Sequence, residues 1–237
     1  PRPGALEAEE VMRLVLGALL GLVLVTASAL RLNMAASAAG PLPTPRSGTR
    51  SQVIGPWWSS RVVLNAGPVM APEDSEVDPT SARDVATDLR KRVLRLKGDF
   101  LDPDGKAVAY SAIPSSPLYA EYVRATTLLQ SIPVDSLPEE ELKAMWVNLY
   151  NALVIHALVE GLLPSRGPFP RLRLYARAAY IVGGHELSLN DIENGVLRGN
   201  AKGAVPFARL PFPEGDPRRG GVLPPPPPPR AENGFFR

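Results

Sequence analysis

Residues 136–164 read SLPEEELKAMWVNLYNALVIHALVEGLLP, and the fold follows from how this stretch behaves. Ser136 and Glu139 have the spacing of a capping box, with Pro138 in the first turn, where a missing N–H does no harm. Glu139, Glu140 and Glu141 suit the positive end of a helix dipole. From Ala144 to Val159 there is no charged residue, and Gly161 and Pro164 supply a stop. A helix uncharged over that length is buried on most sides. It is therefore expected to be the central helix of an α-rich domain.

Three polar residues interrupt this apolar run. Asn148 and Asn151 share a face with Ala152, Ile155 and Val159. Asparagine is a poor helix former unless its amide is satisfied. Two readings stand: a buried hydrogen-bond network, or a pair of amides orienting a ligand or a catalytic group. His156 lies on a different part of the helix and reads as a satisfied core residue.

Beyond the central helix, residues 165–176 form an arginine-rich connection, which reads as a solvated loop. Residues 178–189, AAYIVGGHELSL, alternate on both sides of Gly183-Gly184 and predict a two-residue hairpin whose turn needs positive φ. His185 follows that turn directly and is a candidate for site chemistry, with Glu186, Asp191 and Glu193 nearby. Asp191 and Glu193 are accounted for by the dipole of a short helix capped by Ser188 and closed by Gly199. Upstream, Ser81 caps a helix to about Lys97, with Val85, Leu89, Val93 and Leu96 on one face and Gly98 at its end. A second helix is expected over about Pro117 to Gln130, with Leu118, Tyr122, Ala125 and Leu129 as its apolar stripe.

Three blocks of this text carry a resemblance. WVNLYNALVIHALVEGLLP, AYIVGGHELSLNDIENGVLRGN and DPDGKAVAYSAI resemble the domain-of-unknown-function family 547 (DUF 547), over about residues 82–218. The family pattern implies a continuation past Asp216-Pro217-Arg218 into a segment with histidine and two cysteines. This chain instead reads GGVLPPPPPPRAENGFFR. The expectation is an incomplete domain, cut before the cysteines that would serve as a nucleophile in a papain- or transglutaminase-like thiol enzyme. His185 and Asn148 would then be remnants of a site, and the central helix would expose apolar surface in a marginally stable half-domain.

The ends differ from the middle. Residues 14–30, LVLGALLGLVLVTASAL, are uncharged between Arg13 and Arg31. They read as a signal peptide starting at Met12 with Ala27-Ser28-Ala29 as cleavage site, or as an uncleaved anchor. Residues 33–80 read as a disordered linker in which Trp57-Trp58 and Val62-Val63-Leu64 are local exceptions. Residues 211–237 read as a disordered Pro/Gly-rich tail that supplies no core. The chain has 27 prolines in 237 residues, concentrated in these ends and joints.

Composition excludes several classes. With no cysteine there is no disulfide scaffold, thiolate metal site or thiol nucleophile in this chain. Two histidines argue against a multi-histidine metal site, and a net charge of +2 is no nucleic-acid footprint. No cofactor is implied. The expected fold class is α+β, predominantly α-helical. The expected function is that of a secretory-pathway protein, membrane-tethered through residues 14–30 or secreted, acting as a non-catalytic binding or scaffold module for a protein or a small molecule. The alternative is a cysteine-dependent hydrolase or acyl-transferase in the full-length family form. The candidate site residues are Asn148, Asn151 and His185.

Overall fold

The computed structural model describes residues 52–54, 61–73, 76–105, 108–162, 170–203 and 209–224. The apolar run 14–30, Trp57-Trp58, residues 163–169 and the prolines from 225 onward lie outside the described residues. The chain folds as an α+β domain, mainly helical. Its elements are strands β1 (Gln52–Ile54) and β2 (Arg61–Val63), helices α1 (Ala82–Asp99), α2 (Pro117–Thr127), α3 (Glu139–Val159) and α4 (Pro170–Arg177), the hairpin strands β3 (Ala178–Val182) and β4 (His185–Ser188), and a π-helical segment, Asp191–Leu197. Short 3₁₀ turns join them, the last over Pro217–Gly221.

The central helix forms as expected and is closed by a Schellman motif. Leu162 N–H donates to Ala157 O, Gly161 N–H donates to Leu158 O, and Gly161 has φ +73°. Its start differs from the capping-box reading. Ser136 belongs to a 3₁₀ turn, and its Oγ donates to Pro133 O at 2.7 Å, so Pro138 stands at the cap with no side-chain bond. The capping box forms instead at Ser188 and Asp191. Ser188 N–H donates to Asp191 Oδ2 at 3.0 Å, and Asp191 N–H donates to Ser188 Oγ at 3.2 Å.

α3 packs against α1, β3 and the π segment. Met145, Trp146, Leu149, Leu153, Val154 and Ala157 on it are all buried. None of the exposed large hydrophobic residues among the described residues lies on α3, so the expected uncovered face is not found. By length and composition α3 is apolar enough to cross a membrane, but 67% of its most apolar window is buried inside the protein. On α1, Ser81 Oγ accepts from Asp84 N–H, and the expected stripe is buried. Of the α2 stripe, Tyr122, Ala125 and Leu129 are buried as expected, and only the first position differs. Tyr119 is buried while Leu118 is only partly so, and the helix tightens to 3₁₀ at Leu128.

Two end segments expected to lack structure contribute to the core. β2, inside the expected linker, pairs with β3 in parallel (Val62↔Ala178, Val63↔Ala179) and with β1 antiparallel. The sheet order is β1-β2-β3-β4. Val62, Val63 and Leu64 are buried, and the Asn65 amide bridges Thr126 O and Ile181 O, each at 2.9 Å. In the Pro-rich tail, Phe212 is fully buried against Gly195, where an added Cβ would stand 2.5 Å from the ring. Asn200 clamps the Phe212 backbone through both amide atoms, and buried Leu223 donates its N–H to Val196 O. The tail is thus a strap laid over the π segment. Two well-placed apolar side chains anchor it despite its composition. The arginine-rich connection, expected as loop, is helical from Pro170 as α4.

The hairpin agrees with its sequence reading. Gly183 and Gly184 have φ +54° and +81°, and Val182 pairs with His185. The turn is also docked. Gly183 N–H donates to Leu129 O at 2.9 Å and Gly184 N–H to Gln130 O at 2.7 Å, which ties β3–β4 to the end of α2.

Candidate functional site

Polar chemistry concentrates in three places: a cleft between α1 and α3, a charged cluster at the edge of the hairpin, and a hydroxyl-rich cluster inside the core. The cleft has a volume of about 330 Å³. Ala86, Met145 and Leu137 line it with apolar surface, Thr87 and Asn148 add polar groups, and Arg83 and Glu141 face each other at its rim. That ion pair is bidentate, with both N–H···O distances at 2.6 Å.

Asn148 is half-buried, and its amide has no hydrogen-bond partner among the described residues. It does not join the buried network that its helical context suggested. Asn151 is also half-buried without such a partner, but it does not line the cleft. The two amides therefore do not converge on one ligand, although they are three residues apart.

His185 is half-exposed beside the turn, as expected, next to the charged cluster. The cluster centres on Asp191, whose carboxylate is nearly fully buried. Asp191 Oδ2 accepts from Ser188 N–H and Ser188 Oγ–H, pairs with Arg61 at 2.9 Å, and lies 3.8 Å from an Arg218 nitrogen. Arg61 also pairs with Glu186 at 3.1 Å. Arg218 forks onto Asp216, donating from Nε at 2.9 Å and from its terminal nitrogen at 2.6 Å, and stacks over the Phe212 ring at 4.7 Å. The Arg218 bonds hold the Asp216 carboxyl down at about 2, with His185 a minor contributor. Asp191 stands in the first turn of the π segment, as the dipole reading expects, and is in addition the hub that joins β2, the hairpin and the strap.

The third cluster was not foreseen. His156 is fully buried at the centre of Tyr119, Tyr122 and Tyr180, with ring centroids 5.3–5.8 Å away. Tyr119 donates to buried Glu160. Tyr122 Oη donates to Ala152 O at 2.8 Å and lies 2.9 Å from Tyr180 Oη, which lies 2.8 Å from His156 Nδ1. His156 Nε2 is buried with no partner, so the histidine is only half satisfied. Burial pushes its pKa down to about 4.

Residues 134–229 match the family model described as protein of unknown function, DUF547. Over those residues the chain is similar to DUF547. The matched stretch begins later than the resemblance at residue 82 suggested and runs past Arg218 to the end of the proline run. No curated protein and no solved structure matches the chain. The DUF547 stretch contains Asn148, Asn151, His185, and the Asp191, Asp216 and Arg218 of the charged cluster. Arg61, Arg83 and Thr87 lie outside it, so both the cleft and the cluster are completed by residues upstream of the match. One sequence gives no sign of such pairings, because they depend on how remote segments dock.

Proposed function

We infer that this DUF547-like protein is a binding module rather than a catalyst. The observation that carries the reading is the Asn148 amide: it stands in the α1/α3 cleft above apolar Met145 and Ala86 with donor and acceptor both unengaged. An asparagine in that state matches a ligand amide with two complementary hydrogen bonds, and the cleft volume lies at the lower end of the range of small-molecule sites. A short peptide or an amide-bearing small molecule with an apolar group fits that chemistry. Catalysis has less support. A thiol-dependent hydrolase or acyl-transferase is suggested by the family pattern beyond Arg218, not by the groups that line the cleft. The uncharged run 14–30 supports a secretory-pathway setting, as signal or as anchor.

The test is a titration of the full chain with N-acetyl-leucine N-methylamide, followed by NMR. Saturable shifts of the Asn148 side-chain amide and the Met145 methyl are expected, and Ala144→Trp, which fills the cleft, abolishes them. Absence of a saturable shift, or turnover of a chromogenic ester that disappears in His185→Ala, overturns the reading.

A further inference from the structure

The core cluster has a direction that follows from counting protons. Tyr122 has one hydroxyl proton, and it goes to Ala152 O. The Tyr122–Tyr180 bond therefore uses the Tyr180 proton. Tyr180 then has none left for His156, so His156 Nδ1–H donates to Tyr180 Oη. The neutral ring thus carries its proton on Nδ1, and Nε2 is a buried lone pair that accepts from nothing.

Within the Tyr122–Tyr180–His156 series of hydrogen bonds, the one vacant proton position is Nε2. A proton arriving there makes an imidazolium whose new N–H has no acceptor, at a position with no solvent exposure. The groups facing the ring are Tyr119 and Tyr122 from α2, Tyr180 from β3 and Glu160 from the end of its own helix. Glu160, the one charge among the described residues acting on the ring, favours the cation, and burial outweighs it. An unpaired buried charge is relieved by neutralisation or by opening.

We propose that His156 is an acid-sensitive latch, whose protonation on Nε2 releases α2 and the β3–β4 hairpin from α3 and from each other. The geometry places the release at a definite seam. The tyrosines bonded around His156 come from α2 and β3, Tyr122 Oη–H to Ala152 O and His156 to Tyr180 tie these to α3, and the docking bonds Gly183 N–H to Leu129 O and Gly184 N–H to Gln130 O join the turns that directly follow α2 and β3.

The sign of the pH dependence follows. The folded-state proton affinity of His156 lies below its ordinary value of 6.5, at about 4, so the opened state takes the proton first. Stability is complete above pH 6.5 and is lost as pH falls from 6.5 towards 4, where the slope ends. The experiment measures hydrogen exchange of the Gly183 and Gly184 amides and the unfolding equilibrium of the full chain between pH 7 and pH 4.5, for wild type and His156→Gln. Glutamine keeps a donor for Tyr180 and does not titrate. In wild type the protection factors are expected to fall about tenfold per pH unit below 6, with less than a twofold change per unit in His156→Gln down to pH 5. An equal slope in both proteins overturns the proposal. If His156→Gln does not fold, the NMR titration of wild type decides. The chain has two histidines, so His185 is an internal reference. A His156 ring signal fixed down to pH 5 while the amides open supports the latch. A His156 signal titrating near pH 6.5 in the closed state removes it.

Discussion

The two polar clusters solve opposite problems. The core cluster, Tyr119, Tyr122, His156, Glu160 and Tyr180, is sealed from water and is built mostly of neutral hydroxyls passing single hydrogen bonds. The edge cluster, Arg61, Glu186, Asp191, Asp216 and Arg218, is built entirely of charges at the margin of the sheet, where water still screens the arginines. Desolvation explains the division: a full charge in the interior is costly unless well paired, while a hydroxyl needs one partner. The clusters also hold different things. The core cluster joins α2, α3 and β3, which are helices and a strand with their own packing. The edge cluster joins β2 and the strap, which are short and depend on their anchors. Acid separates the two as well. The edge carboxyl Asp216 is held at about 2, below its ordinary 3.8, so its contribution is complete above pH 3.8 and lost only as pH falls towards 2. The core histidine responds more than two pH units earlier.

Removing the hub of the edge cluster is the most damaging way to test this contrast. Asp191→Ala leaves Arg61 without its shorter ion pair and the Ser188 N–H without an acceptor at the start of the π segment. A loss of about 3 kcal/mol in urea unfolding is expected, the lower end of the range for breaking a buried pair, because both arginines keep some contact with water. The strap should loosen with it, seen as faster exchange at the Leu223 amide. In the core, Tyr122→Phe leaves Tyr180 without its acceptor, and a loss of about 1–2 kcal/mol is expected. Salt distinguishes the two. In 1 M NaCl the Asp191→Ala effect should shrink, since the screening length is then about 3 Å, while the Tyr122→Phe effect should not. Equal salt responses would mean that the clusters do not differ in the way proposed.

Local chemistry was legible in the sequence, and docking was not. The uncharged run from Ala144 to Val159 announces a buried helix because nothing else accommodates it. Gly183-Gly184 announces a hairpin because both residues need positive φ. The strap was hidden by its own composition. Phe212 and Leu223 sit among prolines and glycines, and the slot that receives Phe212 exists only because residue 195 lacks a Cβ. β2 was hidden because its partner, β3, is more than a hundred residues away and the pairing is parallel, which leaves no turn signal. The π-helical form of residues 191–197 likewise has no periodic signature to read. Of the site candidates, Asn148 was legible as a polar residue out of place, but its surroundings were not, since Arg83, Ala86 and Thr87 arrive on a different helix.

Asn148 supplies the smallest expected effect and a control on the whole comparison. It sits in neither cluster, is half-buried, and has no hydrogen-bond partner among the described residues. Replacing it by leucine removes no bond and leaves no group stranded, so Asn148→Leu should change unfolding stability by less than about 0.5 kcal/mol, the range of ordinary surface substitutions. A member of a satisfied buried network would instead cost about 1–3 kcal/mol when removed. The same variant should lose its NMR response to N-acetyl-leucine N-methylamide. Unchanged stability with lost response marks an amide kept for a ligand. Lost stability marks one that serves the fold and would move Asn148 into the same class as Tyr122.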